Sequence, residues 1–95
     1  MEQPDIELIA FKRTPVFTCE TAPDRLFQLH PSDNSVYGKL MVKQGELTLY
    51  FASGESFELS PEQPGWIEPA KVFKISCRPQ ARFYMEFYRE TGLES

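Results

Sequence analysis

One histidine, His30, two cysteines, Cys19 and Cys77, and fourteen carboxylates are the groups in this chain with the most chemistry to offer. A lone histidine excludes a metal site of three imidazoles within one protomer. The cysteines stand far apart and match no C-x-x-C spacing, which predicts reduced structural thiols. The alternative, a redox pair, requires them to be neighbours across two strands. No Ser/His/Asp order, G-x-S-x-G elbow, P-loop or G-x-G-x-x-G is present, so nucleophilic catalysis and nucleotide binding have no support. His30 precedes the turn-forming run Pro31-Ser32-Asp33-Asn34-Ser35. It reads either as a hydrogen-bonded strand end or as a ligand or proton-transfer group. Glu86 sits between Met85 and Phe87 in the most aromatic stretch, where an enclosed carboxylate needs a partner to offset its desolvation. Lys39 is the first candidate partner, with Arg82 and Lys74 behind it. Whether Glu86 faces a cavity or solvent stays open at this point.

These side chains must be positioned by strands. Val36-Tyr37-Gly38-Lys39-Leu40-Met41-Val42 and Leu47-Thr48-Leu49-Tyr50-Phe51 flank Lys43-Gln44-Gly45-Glu46, which predicts a hairpin whose glycine supplies positive φ. Leu47, Leu49 and Phe51 form an apolar face. In the first strand Gly38, Leu40 and Val42 share one face, and Tyr37, Lys39 and Met41 the other, so both faces can be covered. A lysine between a tyrosine and a methionine suggests a lined cavity. Further strands are expected at 6–11, 16–19, 25–30, 56–59, 66–70, 71–77 and 81–88, the last with Phe83, Met85 and Phe87 on one face. Residues 20–24 read as a turn or a single turn of helix, too short to count as an element, and the tail from Arg89 to Ser95 as loose. Three prolines between Pro61 and Pro69 exclude a helix there. Trp66, after Pro64-Gly65, reads as a core or interface residue rather than a ligand-stacking one.

Eight or so short strands with turns every 8 to 12 residues predict an all-β sandwich or barrel. At 95 residues and 41% hydrophobic content the chain is one domain, 1–95, with enough apolar material for a core without staples. The net charge of -4, with no basic run beyond Lys12-Arg13, makes nucleic acid and anionic membranes poor partners. No apolar run of about 18 residues occurs, and the amino terminus is not signal-like, so a cytoplasmic location is expected.

The order of short motifs resembles a known family. Thr14-Pro15-Val16-Phe17, His30 six residues before Val36-Tyr37-Gly38-Lys39-Leu40, then Gly45, Pro64-Gly65-x-Ile67-x-Pro69 and Phe83-x-x-Glu86-Phe87-Tyr88-Arg89 are similar to the TehB-like cupin domain of tellurite-resistance proteins. The likeness runs from about residue 11 to 89, in the stand-alone form without a methyltransferase. It implies a cupin fold, a double-stranded β-helix (jelly-roll) barrel with a central pocket. Such proteins usually carry histidines where this chain has Met41 and Phe73, and only His30 keeps its imidazole. The resemblance therefore implies a pocket lined by His30, Tyr37, Lys39, Met41, Phe73 and Glu86, without metal or cofactor. The leading expectation is a binding module for a small anionic molecule, held by Lys39 and His30, in a homodimer paired through Trp66 and the Leu40/Val42 face. The alternative is a metal-dependent cupin enzyme, isomerase or oxygenase, using His30 and Glu86.

Overall fold

A computed structural model describes residues 1–91 as nine β-strands and one short 3-10 turn. The strands are β1 (Leu8–Arg13), β2 (Phe17–Thr18), β3 (His30–Pro31), β4 (Tyr37–Gln44), β5 (Leu47–Phe51), β6 (Ser56–Leu59), β7 (Gly65–Ile67), β8 (Val72–Cys77) and β9 (Arg82–Glu90). All pairings are antiparallel. Sheet A has the order β1-β9-β4-β7, with β2 beside the start of β9; sheet B has the order β3-β8-β5-β6. No strand of one sheet pairs with the other. Of the expected sandwich or barrel, the structure is two facing antiparallel sheets and not a closed barrel.

The predicted hairpin is an inter-sheet corner. β4 pairs with β7 and β9, whereas β5 pairs with β6 and β8, so the chain crosses from sheet A to sheet B at 43–46. Gly45 does adopt positive φ, 79°, and a Cβ there would lie 3.0 Å from Ala81 Cα. A glycine is needed for two reasons at once: the left-handed backbone and the contact with another backbone. Both strands are apolar on one face, which suits a crossing as well as a hairpin.

The core fills the space between the sheets. Leu40 and Val42 from β4, Leu47 and Leu49 from β5, Leu59, Ile67, Phe73, Ile75, Phe83 and Met85 are all buried. Leu40, Leu47, Leu49, Leu59 and Phe83 are fully enclosed, each stabilising the fold by about 2 kcal/mol. The alternation in β9 is as expected, with Phe83 and Met85 inward and Arg82 outward. Gly38, Leu40 and Val42 are the inward residues of β4, which turns Tyr37, Lys39 and Met41 onto the outer face of sheet A.

Two local expectations change. Residues 25–30 are not one strand: a 3-10 turn spans Asp24–Phe27, and only His30–Pro31 pairs, with β8. Pro23 fixes the backbone at the turn's entry and Leu26 is buried beneath it. Arg89 and Glu90, read as tail, extend β9, where they pair with Ile9 and Leu8. Residues 92–95 of that tail lie outside the described residues.

Candidate functional site

A cavity of about 570 Å³ opens between the sheets. Its apolar floor includes Leu26, Ile67, Phe73, Met85 and Phe87, and inward-facing Gly38 leaves a gap in the β4 side. Lys12, Arg25 and Arg89 reach the same cavity, against one carboxylate, Asp33. Among the described residues none of the three cations has a carboxylate within ion-pair distance. In a chain of net charge -4 this is a local reversal of sign. The Arg89 guanidinium sits 4.3 Å from the Phe11 ring centroid, which orients it without neutralising it.

His30 lies on the wall. Its Nδ1 is 3.0 Å from the Gln28 carbonyl oxygen, an acceptor only, so Nδ1 carries a proton and donates it. Nε2 is left with a lone pair in the neutral ring and no protein partner among the described residues. The ring packs against Phe73 in a tilted contact, 4.4 Å between centroids and 51° between planes. The adjoining loop is held in place. Ser32 Oγ donates to Glu68 O at 2.9 Å and accepts from Lys71 N at 2.8 Å, while Asp33 Oδ1 accepts from Ser35 N at 2.9 Å. The turn residues at 31–35 thus build a preorganised wall.

A second cluster covers the outer face of sheet A. Arg13 Nη2 donates to Glu86 Oε2 at 2.8 Å, and the Tyr88 hydroxyl donates to Oε1 at 2.7 Å. These two donors hold the Glu86 carboxyl below the usual range, Tyr88 first and Arg13 second. Burial and the bond to Glu86 push the Tyr88 phenol up to about 12. Lys39 pairs across the sheet with Glu86 and Trp66, and its Nζ stands 5.2 Å above the Trp66 ring. Trp66 packs at 5.2 Å against Tyr88.

The TehB-like domain family matches residues 12–85. This chain belongs to that family. A protein from Escherichia coli strain K12 superposes on the TehB-like domain with a TM-score of 0.86, over 95% of this chain and 98% of its own, at 21% identity. TehB from Haemophilus influenzae superposes with a TM-score of 0.79 at 25% identity, over 88% of this chain but 32% of TehB. The domain therefore corresponds to about a third of that protein. No curated protein matches the chain.

Of the six candidate pocket residues, the TehB-like domain brings together two. His30 and Phe73 meet in the cavity. Tyr37, Lys39, Met41 and Glu86 share the outer face of sheet A, shown by the pairings Tyr37 with Tyr88, Lys39 with Glu86 and Met41 with Tyr84. The expected Lys39 partner of Glu86 is displaced by Arg13 and Tyr88. Arg82 and Lys74 make no ion pair with Glu86. Leu40 and Val42, expected at a dimer face, are core residues. Arg25, Arg89 and Lys12 were missed. Arg89 had one available signal: two residues after Phe87 on a strand, it shares that residue's side of the ribbon.

Proposed function

We propose that the cavity binds a small anion with an apolar body, so that this TehB-like domain is a ligand-binding module in a sensing or accessory role. The carrying observation is the set of three cations, Lys12, Arg25 and Arg89, that among the described residues have no ion-paired carboxylate, above an apolar floor. A carboxylate at the rim gains charge-assisted hydrogen bonds, and its hydrocarbon part replaces water on Leu26, Ile67 and Phe87. His30 Nε2 offers the ligand a further polar contact. In this reading Lys39 gives up the role of handle to the arginines.

The strand order, with β4 and β5 split between sheets and β7 and β9 returning to sheet A, supports the finer assignment to a cupin-type jelly roll. A homodimer belongs to the same proposal, now through the outer face of sheet A, where Tyr84 and Met41 supply contact area; Trp66, expected at that interface, is already buried within the chain. Light scattering at tens of micromolar tests it; a monomer rejects it. We also take the domain to act in the cytoplasm, which fractionation tests. The enzyme reading with His30 and Glu86 as joint acid and base is not pursued, because one residue faces the cavity and the other the outside of sheet A.

The test is an NMR titration with octanoate, using octanol and tellurite as controls for an uncharged chain and a bare oxyanion. Octanoate is expected to shift the His30 ring resonance saturably. Arg25→Ala and Arg89→Ala should each weaken it about fivefold. Equal binding of octanol, or shifts confined to the outer face, overturns the proposal.

A further inference from the structure

Cys19 and Cys77 are neighbours across the fold. Their Cα atoms are 5.8 Å apart and the sulfurs are bonded, over a sequence separation of 58. This corrects the expectation of reduced thiols. Cys19 follows β2, which pairs in sheet A, and Cys77 ends β8 in sheet B, so the bond joins the two layers. Separation in sequence hid the pair because no spacing rule covers cysteines brought together by a crossing chain.

Two observations distinguish this bond from a buried staple. Both cysteines are part-exposed, and they open onto a recess of about 440 Å³ shared with Phe27, Tyr50, Lys74 and Ser76. Lys74 is the charged residue of that recess, its Nζ 5.4 Å from the Tyr50 ring. The segment it tethers carries Ala22 and Leu26, both buried in the core cluster. Finally, the Arg78 carbonyl oxygen lies 3.0 Å from Cys19 Sγ and 3.6 Å from Cys77 Sγ. That carbonyl is an acceptor within reach of a cysteine thiol once the bond opens.

The tethered segment is the cavity wall. From Cys19 the chain runs through Arg25 and Leu26 to His30, all three lining the cavity, and the far end rests on Phe73 of β8. We propose that Cys19–Cys77 is a thiol–disulfide exchange site for a small anionic thiol, and that opening it loosens the cavity wall between Cys19 and His30. Its consequence for binding rests on the cavity being the ligand site; the exchange itself does not.

The thiolate of the incoming molecule attacks one sulfur, forming a mixed disulfide and releasing the other cysteine as a thiolate, which takes up a proton. A second thiolate then attacks the external sulfur of that mixed disulfide, forming the small disulfide and releasing the remaining cysteine as a thiolate, which takes up a proton. Two external thiols are oxidised to one small disulfide, and the cysteine pair gains two electrons and two protons. Lys74 attracts the carboxylates of an anionic thiol to the recess.

The experiment equilibrates protein purified without reductant in buffers of reduced and oxidised glutathione. Alkylation with mass spectrometry then reads the thiols, and amide exchange with the His30 ring resonance reads the wall. The two cysteines are expected to reduce and reoxidise together. On reduction, exchange at 19–29 should rise about tenfold or more while β4 and β9 stay protected, and His30 should shift. Lys74→Gln should slow reduction by glutathione about threefold and leave reduction by 2-mercaptoethanol unchanged. A C19S/C77S double variant should reproduce the reduced state. Reduced wild-type protein gives the same readout should that variant fail to fold.

Cysteines that never pair under air, or that stay oxidised in every glutathione buffer, overturn the exchange site. Loss of protection throughout β4 and β9 on reduction makes the bond a structural staple and overturns it too. An unchanged wall and His30 signal overturn the coupling. None of these readouts needs a cavity ligand, so failure of the anion-binding proposal is a separate result.

Discussion

Tyr88 donates its hydroxyl to Glu86 Oε1 at 2.7 Å, leaving Oε2 for Arg13 at 2.8 Å. Both oxygens of the carboxylate are thereby engaged on the outside of sheet A, on the face opposite the cavity. The arrangement links β1 to β9 through side chains as well as through the ladder. Its aromatic surroundings, Tyr84 beneath the Arg13 guanidinium at 4.9 Å and Trp66 beside Tyr88, limit water access on one side. Such a satisfied cluster is a structural joint rather than a general base awaiting substrate.

The joint has two pH limits. Glu86 is lowered from 4.5, so its contribution is complete above that value and disappears as pH falls through the lower folded value. Tyr88 is raised from 10.0 to about 12, so its contribution is complete below 10.0 and disappears between there and about 12. A phenolate absorbance titration is expected to show Tyr88 ionising late, and Glu86→Gln to bring that step down by about one pH unit. An unmoved alkaline limb would reject the Tyr88–Glu86 bond.

Lys39→Ala should change Trp66 emission, because the ammonium leaves the ring face, with a stability loss under about 1 kcal/mol. Octanoate affinity should stay the same. A drop in that affinity would return Lys39 to the pocket and contradict the register of β4.

Gly38 faces the cavity, and an added Cβ would meet Met85 Cε at 3.4 Å, an ordinary contact for a flexible side-chain end. Gly38→Ala should therefore keep octanoate binding. Gly38→Leu should abolish it, at a folding cost of about 1–3 kcal/mol. Binding that survives leucine in a folded protein would place the ligand elsewhere.

Gly45→Ala should destabilise more than Gly54→Ala in urea unfolding. Both glycines have positive φ, 79° and 106°, but a Cβ at 54 meets nothing within 4 Å, whereas at 45 it presses on the Ala81 backbone. The difference should be about 1 kcal/mol or more. Equal losses would mean that Ala81 yields freely.

Much of the fold was legible because strand alternation is local. The inward faces of β5 and β9 follow from Leu47, Leu49, Phe83 and Met85 alone, and the positive φ of Gly45 from its place in a polar connection. The hairpin failed for a physical reason. A polar link between two amphipathic strands satisfies a turn within one sheet and a crossing between two equally well, and only the partners β7, β8 and β9 decide between them. Likewise β4 offered two plausible inward faces, since Lys39 flanked by Tyr37 and Met41 can line a cavity or pair across a sheet.

The amino-acid sequence by itself determined an all-β domain of this family and the apolar sets that form its core. Tertiary structure alone decided that Tyr37, Lys39, Met41 and Glu86 face outward, that Arg25 and Arg89 reach one cavity with His30, and that Cys19 meets Cys77. Each of these depends on which strands pair across long stretches of chain. A one-residue choice of register exchanges the inside of a sheet for its outside, and no local pattern carries that choice when both faces of a strand can be covered.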